Sequence, residues 1–204
     1  MSMFPESDKI DFDIEAVLKK YIPEEKLDLY YRELMAANRK VNLVSRETSR
    51  PAFNRLAAES LLPLDIIRPA AIVENYLDIG SGGGLPAVPL LMTGQINKAV
   101  LVERTAKKAA ALEKILKALA LDTLVVARNF EELTFKKPFE LITLRYIKLT
   151  DALLKKIFIN LANGGFFVYY SSTELETYKN LARVLTFTTP QDDVVKSLTL
   201  YQKK

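Results

Sequence analysis

Apolar positions recur at helical spacing through the first third of the chain and at strand spacing after it. Ile14, Val17, Leu18 and Tyr21 lie three or four apart and stop before Pro23. Leu27, Tyr30, Tyr31 and Leu34 repeat the pattern, so two amphipathic helices are predicted. A third is predicted from Pro51, at its first turn, to Leu62, with Phe53, Leu56 and Leu61 apolar. The polar stretch Asn38–Arg50 reads as the connector between the second and the third.

From residue 71 short apolar runs alternate with helical segments. Strands are predicted at Ile72–Ile79, Ala99–Val102, Leu124–Ala127, Leu141–Leu144, Gly165–Tyr170, Val184–Thr188 and Val194–Tyr201. Helices are predicted at Pro86–Met92, Ala106–Leu121, Asp151–Asn163 and Glu174–Ala182, the last capped by Ser172 or Thr173. Such alternation implies right-handed βαβ units. The expected fold is α/β, a Rossmann-like doubly wound seven-stranded sheet, mostly parallel, with an N-terminal helical extension. Only Thr189–Asp193 separates the last two strands, which should pair as an antiparallel hairpin at one edge. The extension is assigned to residues 1–70, packed on the core, and the sheet domain to 71–204.

With 204 residues, 49% hydrophobic and 26% charged, the chain has the size and composition of one globular domain. A chain this long buries about 70% of its unfolded surface without a staple. It contains no cysteine, which excludes disulfides, thiolate metal sites and a cysteine nucleophile. It contains no histidine either, which removes the Ser-His-Asp triad and any histidine acid, base or ligand. No carboxylate spacing suggests an oxygen-ligated metal, so none is expected. No apolar run is long enough to cross a membrane. Met1 to Asp13 is acidic without an apolar stretch, so no signal peptide is expected and the cytoplasm is the expected location.

The most informative segment is Asp78-Ile79-Gly80-Ser81-Gly82-Gly83-Gly84-Leu85-Pro86, which places four of the chain's seven glycines within five positions, after the first strand and before a helix. Glycine there lets the backbone take positive φ and approach a ligand closely. In open α/β sheets the ligand crevice lies at the carboxyl ends of the strands. Leu85 stands where a dinucleotide fingerprint needs glycine, and no Gly-Lys-Ser/Thr follows, so neither that fingerprint nor a P-loop fits. Glu103 ends the second strand 19 residues beyond Gly84, where an acidic side chain can accept from both hydroxyls of a ribose.

The pattern D-x-G-x-G-x-G resembles motif I of the class I S-adenosylmethionine methyltransferases. With Leu85-Pro86 and Pro89-Leu90 it resembles, more narrowly, the glucose-inhibited division protein B family, bacterial enzymes that methylate a guanine of small-subunit ribosomal RNA at N7. Asn38 with Asn42-Leu43, Arg55 with Glu59-Ser60-Leu61, Lys107-Lys108, Phe130-Glu131-Glu132 and Arg145 resemble further segments of that family, over about residues 27–170. The resemblance implies S-adenosylmethionine as cofactor. It implies cofactor contacts from Asp78, Gly80, Gly82, Gly84, Leu85, Glu103, Phe130, Glu131 and Arg145. It also implies ribosomal RNA or the small ribosomal subunit as partner, no membrane, and a monomer. The chain departs from the pattern at four places. The histidine of R-H-x-x-D-S falls at Leu56, the arginine of R-x-E-E at Asn129, S-R-A at Leu144-Arg145-Tyr146, and L-K-G at Tyr170-Ser171-Ser172.

The missing histidine is compatible with that reaction, because guanine N7 attacks through a neutral lone pair and has no proton to lose. No catalytic residue is assigned. Residues 32–55 hold Arg32, Arg39, Lys40, Arg46, Arg50 and Arg55 against Glu33 and Glu47, a surplus equal to the net +4 of the whole chain. Arg39, Lys40, Arg46, Arg50 and Arg55 are therefore the candidate RNA contacts. Tyr30 and Tyr31 could stack on bases, but their helical spacing favours the core. Two alternatives stay open: a non-catalytic RNA- or ribosome-binding relative, and a small-molecule methyltransferase.

Overall fold

A computed structural model describes residues 12–67, 73–171, 181–191 and 194–204. Three helices open the chain: α1 (Ile14–Tyr21), α2 (Glu24–Asn38) and α3 (Arg50–Leu61), followed by the single turn α4 (Leu64–Ile67). Asp13 caps α1 by accepting from Ala16 N at 3.1 Å, and Ser49 caps α3 by accepting from Ala52 N at 3.3 Å, with Pro51 in the first turn. The sheet then alternates β1 (Val73–Ile79), α5 (Ala87–Met92), β2 (Ile96–Val102), α6 (Ala106–Ala118), β3 (Leu124–Val126), a 3-10 turn (Phe130–Glu132), β4 (Phe139–Arg145), α7 (Asp151–Asn160), β5 (Leu161–Tyr170), β6 (Leu181–Gln191) and β7 (Val194–Lys203).

The strands form one sheet in the order β3-β2-β1-β4-β5-β7-β6. The first five are parallel to their neighbours, and β7 runs antiparallel to both β5 and β6, so the last two strands make the expected edge hairpin. From β1 the chain builds outward through β2 and β3, then crosses back to add β4 on the other side. That reversal puts a crevice at the carboxyl ends of β1 and β4.

Period-two burial sorts side chains to two layers. Tyr76, Leu141, Val168 and Tyr170 face a core shared with Leu18, Tyr30, Leu34, Phe53, Leu61, Leu112 and Ile115, so the first three helices and the sheet bury one continuous surface. Leu77, Ile79, Ile142, Leu144, Phe167 and Tyr169 face the other layer, against Leu153, Leu154 and Ile157 of α7.

Several element ends differ from the sequence-based expectation. α6 stops at Ala118 rather than Leu121 because Ala120 takes φ +54°, with Leu121 N bonded to Leu116 O at 2.9 Å and Ala120 N to Lys117 O at 3.2 Å. This is a Schellman stop without its usual glycine. α7 ends at Asn160, where Leu161 turns to extended backbone and pairs with Phe139 before the register shifts around Gly165. β2 begins at Ile96, three residues before the apolar run. Of the predicted helix Glu174–Ala182, residues 174–180 lie outside the described residues, as do Ser172 and Thr173, while Leu181 and Ala182 open β6. Among the described residues no helix is long and apolar enough to cross a membrane.

Candidate functional site

The first four strands each deliver their following residues to one cavity of about 1020 Å³ at the crevice. Gly80, Ser81, Gly82, Gly83 and Leu85 follow β1. Glu103, Arg104 and Thr105 follow β2, Arg128–Glu131 follow β3, and Arg145–Lys148 close β4. The opposite wall is the connector between α2 and α3, with Leu43, Val44, Ser45, Glu47 and Thr48, continued by Arg55 and Leu56 of α3.

The floor is the glycine loop, and its shape is set by backbone. Gly80, Gly82 and Gly84 take φ of +74°, +51° and +94°. A Cβ on Gly80 would collide with Ile147 Cδ1, whereas one on Gly82 would meet only the carbonyl oxygens of Gly80 and Leu43, each at 3.8 Å. Both positions thus favour glycine by their dihedrals, and at Gly80 a side chain would also displace Ile147. Tyr30 tethers the loop from α2: its buried hydroxyl donates to Gly83 O at 3.0 Å. Burial pushes that phenol well above its ordinary pKa, which keeps it a donor. Tyr30 is therefore a positioning group in the core and not a base-stacking one. Tyr31 packs its ring 5.0 Å from that of Phe53.

Glu103, buried at the end of β2, fastens the loop from the other side. Its Oε2 accepts from Gly82 N at 3.0 Å and its Oε1 from Thr105 N at 2.8 Å. A carboxylate offers about four acceptor positions, so each oxygen keeps one for a further donor. Next along the wall, Phe130 is buried with Lys156 Nζ 5.5 Å from its ring centroid, and Lys156 also donates to the carbonyl of the exposed Glu131.

At the end of β4 lies a buried ion pair that connects strand and helix. Arg145 Nη2 donates to Glu59 Oε2 at 2.6 Å, and Nη1 to Leu56 O at 3.2 Å and Ser60 Oγ at 3.3 Å. Nη2 also donates to Tyr146 Oη at 3.4 Å, and the guanidinium carbon lies 5.0 Å and 5.2 Å from the ring centroids of Tyr146 and Tyr170. Arg145 lines the cavity, yet it is not the solvent-facing side chain that a strand end suggests.

Asp78 is one residue short of the loop and does not line the cavity. It is buried, its Oδ1 accepts from Thr143 Oγ1 at 2.5 Å, and Thr143 is in turn 2.7 Å from Tyr76 Oη. Among the described residues its Oδ2 has no partner. Burial raises its pKa to about 6 against the opposing pull of the Thr143 hydrogen bond. Gly84 also turns from the cavity: a Cβ there would collide with Val88 Cγ2 and press Leu112 and the Tyr30 hydroxyl, so its absent side chain serves helix packing.

Of the nine residues assigned to a cofactor, the structure brings Gly80, Gly82, Leu85, Glu103, Phe130, Glu131 and Arg145 to one cavity and leaves Asp78 and Gly84 behind it. Of the five assigned to RNA, only Arg55 reaches the cavity wall. Arg39, Lys40 and Arg46 are exposed, Arg46 lying 3.4 Å from Asn42 Oδ1. Arg50 is engaged by Asp28, by Asn54 at 2.8 Å and by the Tyr31 ring at 5.0 Å. Sequence reasoning did not assign to RNA the cavity cations Arg104, Lys108, Arg128 and Lys148, which come from three separate segments. It also missed the tether from Tyr30 and the role of Asn38, whose Oδ1 accepts from Leu43 N at 2.8 Å and Val44 N at 3.1 Å and so folds the connector into a wall.

A family model described as GidB, rRNA small subunit methyltransferase G, matches residues 23–204. A relative in Dictyoglomus thermophilum named ribosomal RNA small subunit methyltransferase G is 30% identical over 170 residues, covering 80% of this chain and 70% of that protein. Relatives of the same name in Chlorobium limicola and Chlorobaculum tepidum are 35% and 39% identical, over 45% and 49% of this chain. The chain spans less than half of those two proteins, 41% and 46%. Among solved structures, an O-methyltransferase from Bacillus cereus in complex with SAH superimposes with a TM-score of 0.65 at 15% identity, covering 93% of this chain and 96% of that one. The N-methyltransferase NodS from Bradyrhizobium japonicum with S-adenosyl-L-homocysteine gives 0.61 at 14% identity, over 88% and 99%. These two share the fold.

Proposed function

We propose that this chain, which belongs to the rRNA small subunit methyltransferase G family, transfers a methyl group from S-adenosylmethionine to guanine N7 in small-subunit ribosomal RNA. The observation that carries the reading is the convergence of a backbone-floored glycine loop, the doubly anchored Glu103 and the 3-10 turn at Phe130 on one cavity at the switch point of the sheet. The donor set suits the cofactor. The free acceptor position on each oxygen of Glu103 matches the two ribose hydroxyls, the bare loop admits the methionine chain with its sulfonium closely, and main-chain groups of Phe130 and Glu131 border the space for a purine.

Gly80, Leu85 and Glu103 would hold S-adenosylmethionine, which when bound would supply an electrophilic methyl on a sulfonium sulfur, the sulfur keeping the S–C electron pair while the N7 lone pair makes the new N–C bond. No proton has to leave N7 first, so the chain needs no general base and its lack of histidine is no obstacle. What the residues contribute is placement, worth up to about 7–11 kcal/mol for well-oriented reactants. Tyr30 and Glu103 hold the loop from opposite sides, and Ile147 closes over Gly80. Arg104, Lys108, Arg128 and Lys148 supply positive charge around the cavity for a polyanionic substrate. On this reading the chain acts as a monomer in the cytoplasm. Residues 1–70 act as an extension of the 71–204 methyltransferase domain, the α2–α3 connector and α3 supplying the cavity's outer wall.

The test is transfer of labelled methyl from S-adenosylmethionine to small ribosomal subunits, and separately to naked rRNA, from cells lacking this chain. The product is then mapped by borohydride reduction and aniline cleavage, which cut at 7-methylguanosine. Labelling with a single new cleavage site is expected. Absence of label, or label without cleavage, would overturn the reading. RNA binding without transfer would point instead to a non-catalytic relative.

A further inference from the structure

We propose that Tyr146 is the platform on which the substrate base stacks, a role that rests on the functional reading above. Among the described residues two aromatic side chains line the cavity, Phe130 and Tyr146. Phe130 is buried and already carries Lys156 over its ring. Tyr146 is 66% exposed, and of the large exposed apolar side chains among the described residues (Leu124, Tyr146 and Ile159) it is the one in the cavity lining. Its backbone takes φ +55°, a left-handed conformation that residues with a Cβ avoid and that bulky ones adopt rarely. Strain of this kind gathers at ligand clamps, where the surrounding structure over-determines it.

The surroundings here do so. Tyr146 N donates to Tyr170 O at 3.5 Å, and Tyr146 Oη accepts from Arg145 Nη2 at 3.4 Å. The Arg145 guanidinium carbon sits 5.0 Å from the ring centroid and is itself fixed by Glu59 and the Leu56 carbonyl. An exposed ring would ordinarily rotate freely. This one is pinned by a buried cation, on the first residue after the strand that borders the switch point, and in the same cavity as Gly80 and Glu103. Every base has a π-face, and stacking on an aromatic ring fixes the plane of a purine while leaving its N7 edge free to point in that plane toward the glycine loop. The cost of the left-handed turn then has a use, because an extended residue 146 would project its side chain to one face of the sheet rather than over its carboxyl end.

Three variants test the proposal against a purely structural role in which Tyr146 only shields Arg145. Tyr146→Phe keeps the ring and is expected to hold kcat/KM for rRNA within about 3-fold. Tyr146→Leu keeps bulk without a π-face and is expected to lose about 5- to 150-fold, the equivalent of stacking one base. Its Kd for S-adenosylmethionine by calorimetry should stay unchanged. The chain has no tryptophan, so Tyr146→Trp installs a single reporter at the platform. Its emission should be quenched on titration with a short single-stranded RNA containing guanosine, and unaffected by a fully abasic chain of the same length. Equal kcat/KM for the Phe and Leu variants, or a tryptophan blind to the guanosine RNA, would overturn the proposal. A wild-type protein that transferred no methyl would overturn the functional reading alone, and the quenching titration would still decide the stacking.

Discussion

Removing Arg145 tests the buried ion pair at the end of β4. Four of the five guanidinium N–H groups are engaged, by Glu59, Ser60 Oγ, the Leu56 carbonyl and Tyr146 Oη. The side chains of Arg145 and Glu59 are only 4% and 7% exposed. Arg145→Met therefore leaves a carboxylate buried without its counter-charge and a helix carbonyl without its donor. Breaking a buried pair in this way costs about 3–5 kcal/mol. For a domain of this size each kcal/mol moves Tm by about 2–4 °C, so the variant should melt about 6–20 °C lower. The double variant Glu59→Leu/Arg145→Met removes both charges, and its stability should return to within about 1–2 kcal/mol of wild type.

Circular-dichroism melts and urea titrations of the wild type, both single variants and the double variant close the thermodynamic cycle. An Arg145→Met variant melting within about 2 °C of wild type would refute the reasoning, as would a double variant as unstable as the sum of the singles. The resemblance on its own implies a cofactor contact at Arg145. The geometry predicts instead that the stable double variant binds S-adenosylmethionine almost as the wild type does, because four of the guanidinium's five donors are spent within the protein.

Burial holds Asp78 at a pKa of about 6 when folded, against 3.8 in its ordinary state. The folded chain thus binds that proton more tightly, so the stability this group contributes is present at low pH and is lost as pH rises through 6. The advantage of wild type over Asp78→Asn in urea titrations should shrink by up to about 3 kcal/mol between pH 4 and 7; parallel profiles would contradict the assignment. Tyr30→Phe orphans the Gly83 carbonyl, and should cost about 1–3 kcal/mol in urea titrations and weaken S-adenosylmethionine binding measured by calorimetry. Glu103→Gln loses the charge that accepts from Gly82 and Thr105 and would accept from the ribose, so calorimetry should show Kd for S-adenosylmethionine raised about 10- to 150-fold.

The parts of the molecule legible in the sequence are those whose cause is local. The glycine cluster after an apolar run marks β1 and its turn, and the spacing to Glu103 marks the end of β2, because strand, turn and helix lengths set that distance. The parts that were not legible depend on meetings across the chain. Tyr30 reaches Gly83 across 53 positions, and Arg145 reaches Glu59 across 86. A helical period assigns Tyr30 to the core, where it is, but says nothing about where its hydroxyl points. The run of basic residues at 32–55 is dispersed by the fold for a related reason. The connector folds around Asn38, Arg50 turns to Asp28, and the cavity draws its positive charge from scattered residues that only the fold assembles. The early stop of α6 hides because Ala120 takes a conformation for which glycine is the usual signal.

The departures from the family pattern also look different once they are placed in space. Leu56 stands for a histidine, Tyr146 for the alanine of S-R-A, and Tyr170 for the leucine of L-K-G. Far apart in sequence, the three meet at one group, the Arg145 guanidinium. Leu56 serves it through a carbonyl that any residue carries, and the two tyrosines serve it with ring faces. Tyr170 also donates to Ser60 O at 3.1 Å, which locks β5 to the helix bearing Glu59. Independent decay of an unused site would scatter losses without regard to contact. Here three of the changes lie in contact with the same cation, and the outermost of them carries a strained, exposed ring into the cavity. That coupling favours a site whose arginine has been re-housed among aromatics over one that has been abandoned.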